Sequence, residues 1–189
     1  LKDAHDLQQY FSNRLANYLK PKGEKVIFWG DVIYTEGTLL PDNVVIQWWN
    51  SRDHGDLAMQ NAIKMGHQVI CSTNQYTYLN YTVSPWVKYQ KSRNFDMKMA
   101  YEENRSNLSN PNKLILGMGA SLWTDWNVTE ELVDRRVFPR IFVLAEQMWN
   151  SNNSLSFEMF YDKVKAKYPL LNQLGIDYGP ALYDEVPND

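Results

Sequence analysis

The sequence predicts an α/β fold: a parallel sheet with helices outside it. Three observations carry this. Short apolar runs alternate with amphipathic stretches, in the order helix, strand, strand, helix, strand, helix, strand, helix. The runs are continuous rather than alternating, as in strands covered on both faces. Asp, Pro and Gly stand at the expected boundaries.

Asp3 caps a helix over about Ala4–Leu19, and Leu7, Phe11, Leu15 and Leu19 recur every four residues as one apolar face. Pro21 and Gly23 end it. Lys25–Trp29 (KVIFW) reads as the first strand. A loop with Gly37 and Pro41 leads to the second, Asn43–Trp49 (NVVIQWW). Asp53 or Asp56 caps a helix running through Met65 and closed by Gly66. Gln68–Ser72 (QVICS) is the third strand. A polar, aromatic connection follows, with a short helix around Met97–Asn104. Lys113–Trp123 holds the fourth strand, Pro139–Trp149 a helix with Pro in its first turn, and Phe157–Leu171 the last helix. The tail from Tyr178 reads as irregular.

The chain has 189 residues, 44% of them hydrophobic and 22% charged, with a formal net charge of -3. This is the composition of a globular chain with a core. It is read as one domain over residues 1–189, with 151–189 forming a C-terminal helix and tail on the same body. Basic clustering of the nucleic-acid-binding kind is absent, and so is any apolar run of membrane-spanning length. The first residues already sit in a helical pattern, so the chain reads as a piece of something longer. Cys71 is the only cysteine and lies in an apolar run, which excludes a disulfide framework and points to a buried, inert thiol. His5, His54 and His67 lack ligand spacing, so neither a metal nor a cofactor is expected.

Seven Trp and twelve Tyr exceed what core filling requires. Three Trp close predicted strands: Trp29 in IFWGD, Trp49 in QWWN and Trp123 in SLWTD. The remaining strand runs into QYTYLNY. Ligands of parallel α/β folds bind at the carboxyl ends of strands. Rings gathered there suit a ligand with one apolar face, sugars included.

Five stretches, in order, resemble the catalytic domain of glycoside hydrolase family 20. KVIFWGD resembles its fifth barrel strand, DNVVIQWW its sixth, MGHQVICSTNQYTYLNY its seventh and LILGMGASLWTDW its eighth. FPRIFVLAEQMWN resembles the helix that follows. The resemblance implies the C-terminal half of a (β/α)8 TIM barrel, about four parallel strands with outer helices. It implies a β-N-acetylhexosaminidase or lacto-N-biosidase-like parent that hydrolyses with retention and substrate assistance, through an oxazolinium-like intermediate. Trp29, Trp49 and Trp123 would wall the acetamide pocket and Tyr78 would donate to the acetamide oxygen. Asn80 would bind a sugar hydroxyl, Asp125 would hold O4, and Trp86 would shape the leaving-group region.

Departures from the family pattern are part of the reading. The family's adjacent Asp-Glu pair is missing from the strand ends; Asp-Glu occurs once, at Asp184–Glu185, in the tail, where it reads as solvated. The sugar-gripping Arg of the first barrel strand is missing too, so the 189-residue chain alone should be inactive. Asp125 stands where many members have Glu, and Gly119 where many have Glu or Gln. N-acetylglucosamine, N-acetylgalactosamine and a released disaccharide therefore all remain candidates. The expected partners are an N-acetylhexosamine-bearing glycan and either the other half of a barrel or a second copy. Two rivals stand beside this reading: a non-catalytic carbohydrate-binding module, and an unrelated α/β domain with core aromatics. Asp31 reads as structural and Arg140 and Glu146 as an ion pair, while the sequons at Asn80, Asn104, Asn107, Asn127 and Asn152 fit either glycosylation or simply an Asn-rich composition.

Overall fold

The computed structural model describes residues 3–34, 38–84, 94–104, 113–124, 128–150, 155–182 and 185. The expected Gly37, Trp86, Asp125 and Asp184 lie outside them, as do the sequons at Asn107, Asn127 and Asn152. The chain divides into two compact units, Leu1–Asn74 with Pro111–Gly117, and Gln75–Asn110 with Met118–Asp189.

In the first unit, helix α1 (Ala4–Leu19) begins where expected, the Asp3 carboxylate accepting from the Asp6 N–H at 2.9 Å. Its buried face differs from expectation. Leu7 and Phe11 are 55% and 64% exposed, whereas Ser12 and Ala16 are buried. The helix approaches the core through its small residues, close enough for the Ala16 carbonyl to accept from Asn43 Nδ2 at 3.0 Å. A four-residue apolar spacing marks a helix, but backbone proximity selects which face is covered.

Strands β1 (Val26–Trp29), β2 (Val44–Trp48), β3 (Gln68–Cys71) and β4 (Ile115–Met118) form one parallel sheet in the order β1-β2-β3-β4. Neighbours in space follow chain order with no reversal. That is the winding of half a (β/α)8 barrel, whereas a doubly wound sheet has a switch point. The register pairs Val26 with Val44, Phe28 with Ile46, Ile46 with Val69 and Trp48 with Cys71. Side chains alternate with period two, so these residues share one face. They are the ones that enter the core, with Ala58, Met59 and Ala62 of helix α3 (Leu57–Lys64), Ala16 of α1, and Val32 and Ile33 of a 3-10 turn at Gly30–Ile33. The opposite face carries Ile27, Trp29, Val45, Gln47 and Ile70. Ile27 is 55% exposed there while Val45 is buried. Coverage on both faces therefore holds for β2 but not along β1.

The helix expected to run through Met65 is broken into α2 (Ser51–His54) and α3. Gly55, at φ 55 and ψ -134, makes the break, and Gly66, at φ 82, closes α3. Asn50 caps α2 by accepting from the Asp53 N–H at 3.3 Å. Asp56 caps nothing with its side chain, which accepts from Gln60 Nε2 at 2.7 Å instead.

The second unit is helical: α4 (Met97–Glu103), α5 (Glu130–Val137), α6 (Ile141–Trp149), α7 (Phe157–Lys165) and α8 (Tyr168–Gln173). Tyr101 of α4 stacks on Phe160 at 4.7 Å and meets Phe157 edge-on at 5.7 Å, its hydroxyl donating to the Leu155 carbonyl at 2.9 Å. Gln147 of α6 donates to the Ala100 carbonyl at 2.8 Å and accepts from Asn104 Nδ2 at 3.1 Å. Sequence reading missed α5, whose signal is charge rather than apolar spacing. Glu130 and Glu131 stand in its first turn and Arg135 and Arg136 in its last, as the helix dipole favours. The expected Phe157–Leu171 helix is broken ahead of Tyr168, because Pro169 has no N–H to donate and its ring would clash in a helix interior. Glu185 is exposed as expected but engaged: it accepts from the N–H groups of Ala181 and Leu182 and from the Tyr161 hydroxyl.

Gly30 follows Trp29, and a Cβ there would lie 2.9 Å from the Ala58 Cβ. Gly30→Ala should cost about 1–3 kcal/mol, read as a lower urea midpoint at unchanged slope. Cys71 is 1% exposed, and burial pushes its thiol up to about 11. A folded-state value above the unfolded one favours the fold below pH 9 and is lost as pH rises through 11. Wild type should therefore lose about 2–3 kcal/mol more than Cys71→Ala across that window in urea melts.

Candidate functional site

The register places two of the predicted indoles at one end of the first unit's sheet. Trp29 ends β1 and pairs with Gln47, two residues before Trp49. Trp29 and Trp49 thus leave adjacent parallel strands at the carboxyl end. The Trp48–Trp49 doublet is split between environments. Trp48 is buried in the core and its indole N–H donates to the Gly55 carbonyl at 3.0 Å. Trp49 is half-buried, and its indole N–H donates to Asp31 Oδ2 at 2.7 Å. Asp31 sits in the 3-10 turn directly after β1, so a residue from one strand end orients the ring of the next. Its expected structural role is what the geometry shows.

Backbone N–H groups of a buried polar segment hold the Trp48 and Trp49 carbonyls. Ser72, Thr73 and Asn74, just beyond β3, are fully buried. The Asn74 N–H donates to the Trp49 carbonyl and the Ser72 N–H to the Trp48 carbonyl, each at 2.7 Å. Asn74 Oδ1 accepts from Ser51 Oγ at 3.2 Å and from the Arg52 N–H at 3.3 Å. Gln47 Nε2 donates to Ser72 Oγ at 2.9 Å. Tyr34, at the end of the same 3-10 turn, has its hydroxyl pushed up to about 12, chiefly by burial, with the Asp31 and Asp53 carboxylates adding to it. It stays neutral at physiological pH.

In the second unit Tyr78 and Ser121 form a parallel bridge, with Leu79 N–H to Ser121 carbonyl at 2.8 Å and Ser121 N–H to Thr77 carbonyl at 3.0 Å. The bridge fixes Tyr78 beside Trp123, ring centroids 5.8 Å apart, and Tyr81 lies 5.9 Å from Tyr78. Tyr78 is buried, whereas Trp123 is 40% exposed. Asn80 is 3% exposed, and its Oδ1 has no hydrogen-bond partner. An unpaired buried acceptor costs about 1–3 kcal/mol, so it calls for an explanation.

Arg140 is not paired with Glu146. Its guanidinium, 1% exposed, donates to the carbonyls of Tyr81 and Leu79, both at 2.7 Å, to Phe95 at 3.4 Å and to Arg136. Burial first, then the neighbouring Arg136, lowers its pKa to about 9, with Asp96 opposing. It remains a cation at neutral pH. Glu146 instead accepts from Asn150 Nδ2 at 3.2 Å. Sequence reading missed this arrangement, since carbonyl partners leave no charge pattern to find. Asn80 and Asn104, at 3% and 1% exposure, are too buried to be glycosylated in the folded chain. Among the described residues no group of three His, Cys, Asp or Glu could hold a metal ion, and no helix is long and apolar enough to cross a membrane.

Glycosyl hydrolase family 20, catalytic domain, matches residues 1–152. The chain belongs to this family. A β-hexosaminidase of Porphyromonas gingivalis is 29% identical over 185 residues, covering 94% of this chain and 23% of that protein. Subunit B1 of a Dictyostelium discoideum β-hexosaminidase is 24% identical over 150 residues, covering 79% and 24%. The crystal structure of a β-N-acetylhexosaminidase from Bacteroides fragilis superposes with a TM-score of 0.93 at 54% identity, covering 100% of this chain and 39% of that one. A family 20 exo-β-N-acetylglucosaminidase from Vibrio harveyi, solved in complex with N-acetylglucosamine, shares the fold at 21% identity and a TM-score of 0.77, covering 95% and 28%. The chain thus spans about a quarter of the length of these curated relatives. Membership of glycosyl hydrolase family 20 removes the reading of an unrelated α/β domain.

The Asp31–Trp49 bond joins a carboxylate to an indole N–H in a half-buried place. Asp31→Leu should cost about 1–2 kcal/mol in urea unfolding, and Asp31→Asn, which keeps an acceptor, should recover most of it.

Proposed function

We propose that this chain supplies the acetamide-binding side of a family 20 active site that removes terminal N-acetylhexosamine from glycans. In this reading Trp29, Trp49 and Trp123 are each assigned to acetamide binding, and Tyr78 donates to the acetamide oxygen. Asn80 accepts from a sugar hydroxyl, Asp125 holds O4, and Trp86 lies toward the leaving group. The observation that carries it is the bridged Tyr78 beside Trp123, with the unpartnered Asn80 acceptor two residues on. A phenol O–H, an indole face and a vacant acceptor match an acetamide, a C–H-rich pyranose face and a hydroxyl.

The chemistry assigned to the site is retaining and substrate-assisted. The acetamide oxygen attacks the anomeric carbon while a carboxylic acid protonates the leaving oxygen. A Tyr donor aimed at that oxygen holds the internal nucleophile in its reactive orientation. The one adjacent Asp-Glu in this sequence is Asp184–Glu185, and Glu185 is bound to the tail's own N–H groups. We therefore assign the acid pair to the remainder of a longer protein, in keeping with the 39% of the Bacteroides fragilis structure that this chain covers. That remainder is also the partner proposed for the exposed face of β1.

A carbohydrate-binding module is the second reading, favoured by the pairing of aromatic rings with no acid pair at the strand ends. Titrating N-acetylglucosamine against the 189-residue chain separates the two: a module binds by itself, and half a site does not. In the full-length protein, Tyr78→Phe should lower kcat/KM toward an aryl N-acetyl-β-glucosaminide about 30- to 1000-fold, as for loss of one preorganised donor worth about 2–4 kcal/mol. Its melting temperature should barely change.

A further inference from the structure

We propose that Arg140 is a positioning residue for the Tyr78–Asn80 segment, its guanidinium gripping the carbonyls on either side of Asn80. The inference rests on the reading of Tyr78 and Asn80 given above, and it assigns a role to a side chain that would touch no substrate.

The two short bonds go to Leu79 and Tyr81, each at 2.7 Å, one from each terminal nitrogen. Asn80 lies between these carbonyls and Tyr78 directly before them. The guanidinium is anchored in turn. Nε donates to the Arg136 carbonyl at 3.0 Å, one terminal nitrogen reaches Phe95 at 3.4 Å, and the Phe95 ring lies 5.2 Å below the cation. Arg136 and Asp96 are the charges near it, one repelling and one attracting.

Burying a cation without a hydrogen-bonded counter-ion is costly, and an apolar side chain of similar volume would fill the space with less penalty. What an apolar side chain could not do is fix two carbonyls two residues apart. A planar fork does so with both terminal nitrogens at once, whereas a lysine presents one nitrogen. On the other side the segment is held by the Ser121 bridge, two residues before Trp123. The Tyr78 backbone is thus set from both sides, which a donor needs in order to be preorganised.

The test is a double-mutant cycle in the full-length protein with an aryl N-acetyl-β-glucosaminide. Arg140→Lys should lower kcat about tenfold or more with KM within about threefold. In a Tyr78→Phe background the same change should cost less than about twofold, because the donor it positions is already gone. An equal loss in both backgrounds, or none in the wild type, would overturn the inference while leaving the role of Tyr78 standing. Tyr78→Phe without effect would remove the parent reading and this one together. If Arg140→Lys does not fold, Phe95→Leu withdraws the ring beneath the cation and enters the same cycle under the same criteria.

Discussion

The parallel ladder that sets Val26 against Val44 and Val45 against Gln68 decides which side chains enter the core of the first unit and which reach its strand ends. Side chains alternate faces along a strand, so the registers of β1, β2 and β3 sort a nearly continuous apolar sequence into two sets. Val26, Phe28, Ile46, Trp48, Val69 and Cys71 meet the helices. Trp29, Gln47 and Ile70 go to the other face. A slip of one residue would bury Trp29 and expose Trp48, taking apart both the core and the strand-end indoles. The core therefore stabilises more than the fold: it holds the register on which the candidate site depends.

Polar contacts complete the placement where the ladder ends. Beyond β2 and β3 backbone pairing continues, the N–H groups of buried Ser72 and Asn74 donating to the Trp48 and Trp49 carbonyls. Asp31 accepts from the Trp49 indole N–H. In the second unit the Tyr78–Ser121 bridge and the Arg140 fork hold a segment with little regular structure. In both units an irregular segment at a strand end is held by hydrogen bonds to buried donors and acceptors. Asn80 Oδ1 and Asn74 Nδ2 are among the buried polar atoms without a hydrogen-bond partner, and Asn80 lies in the segment proposed to bind the ligand.

Family membership and site chemistry rest on different kinds of support. Membership follows from a match over residues 1–152 and a 54% identical structure of the same fold. The proposed chemistry draws on local geometry and on the residue types an acetamide-bearing pyranose requires.

Much was legible in the sequence because it is local. Asp3 as a cap, the start and end of α1, the places of all four strands and the closure at Gly66 follow from short-range backbone chemistry that tertiary contacts did not override. Trp29 and Trp49 at the carboxyl ends of β1 and β2 could be read for the same reason, whereas Trp123, expected to close the fourth strand, lies five residues past the end of β4. Tertiary structure alone decided which face of α1 is covered, since Ser12 and Ala16 gain from a close backbone approach that Leu7 and Phe11 would prevent. It alone split Trp48 from Trp49, because register is a property of pairs of strands. It also turned Arg140 from an expected salt-bridge partner into a grip on carbonyls about 60 residues earlier. Main-chain acceptors are present at every residue and leave no mark in a sequence, so only the folded chain could show which of them that cation holds.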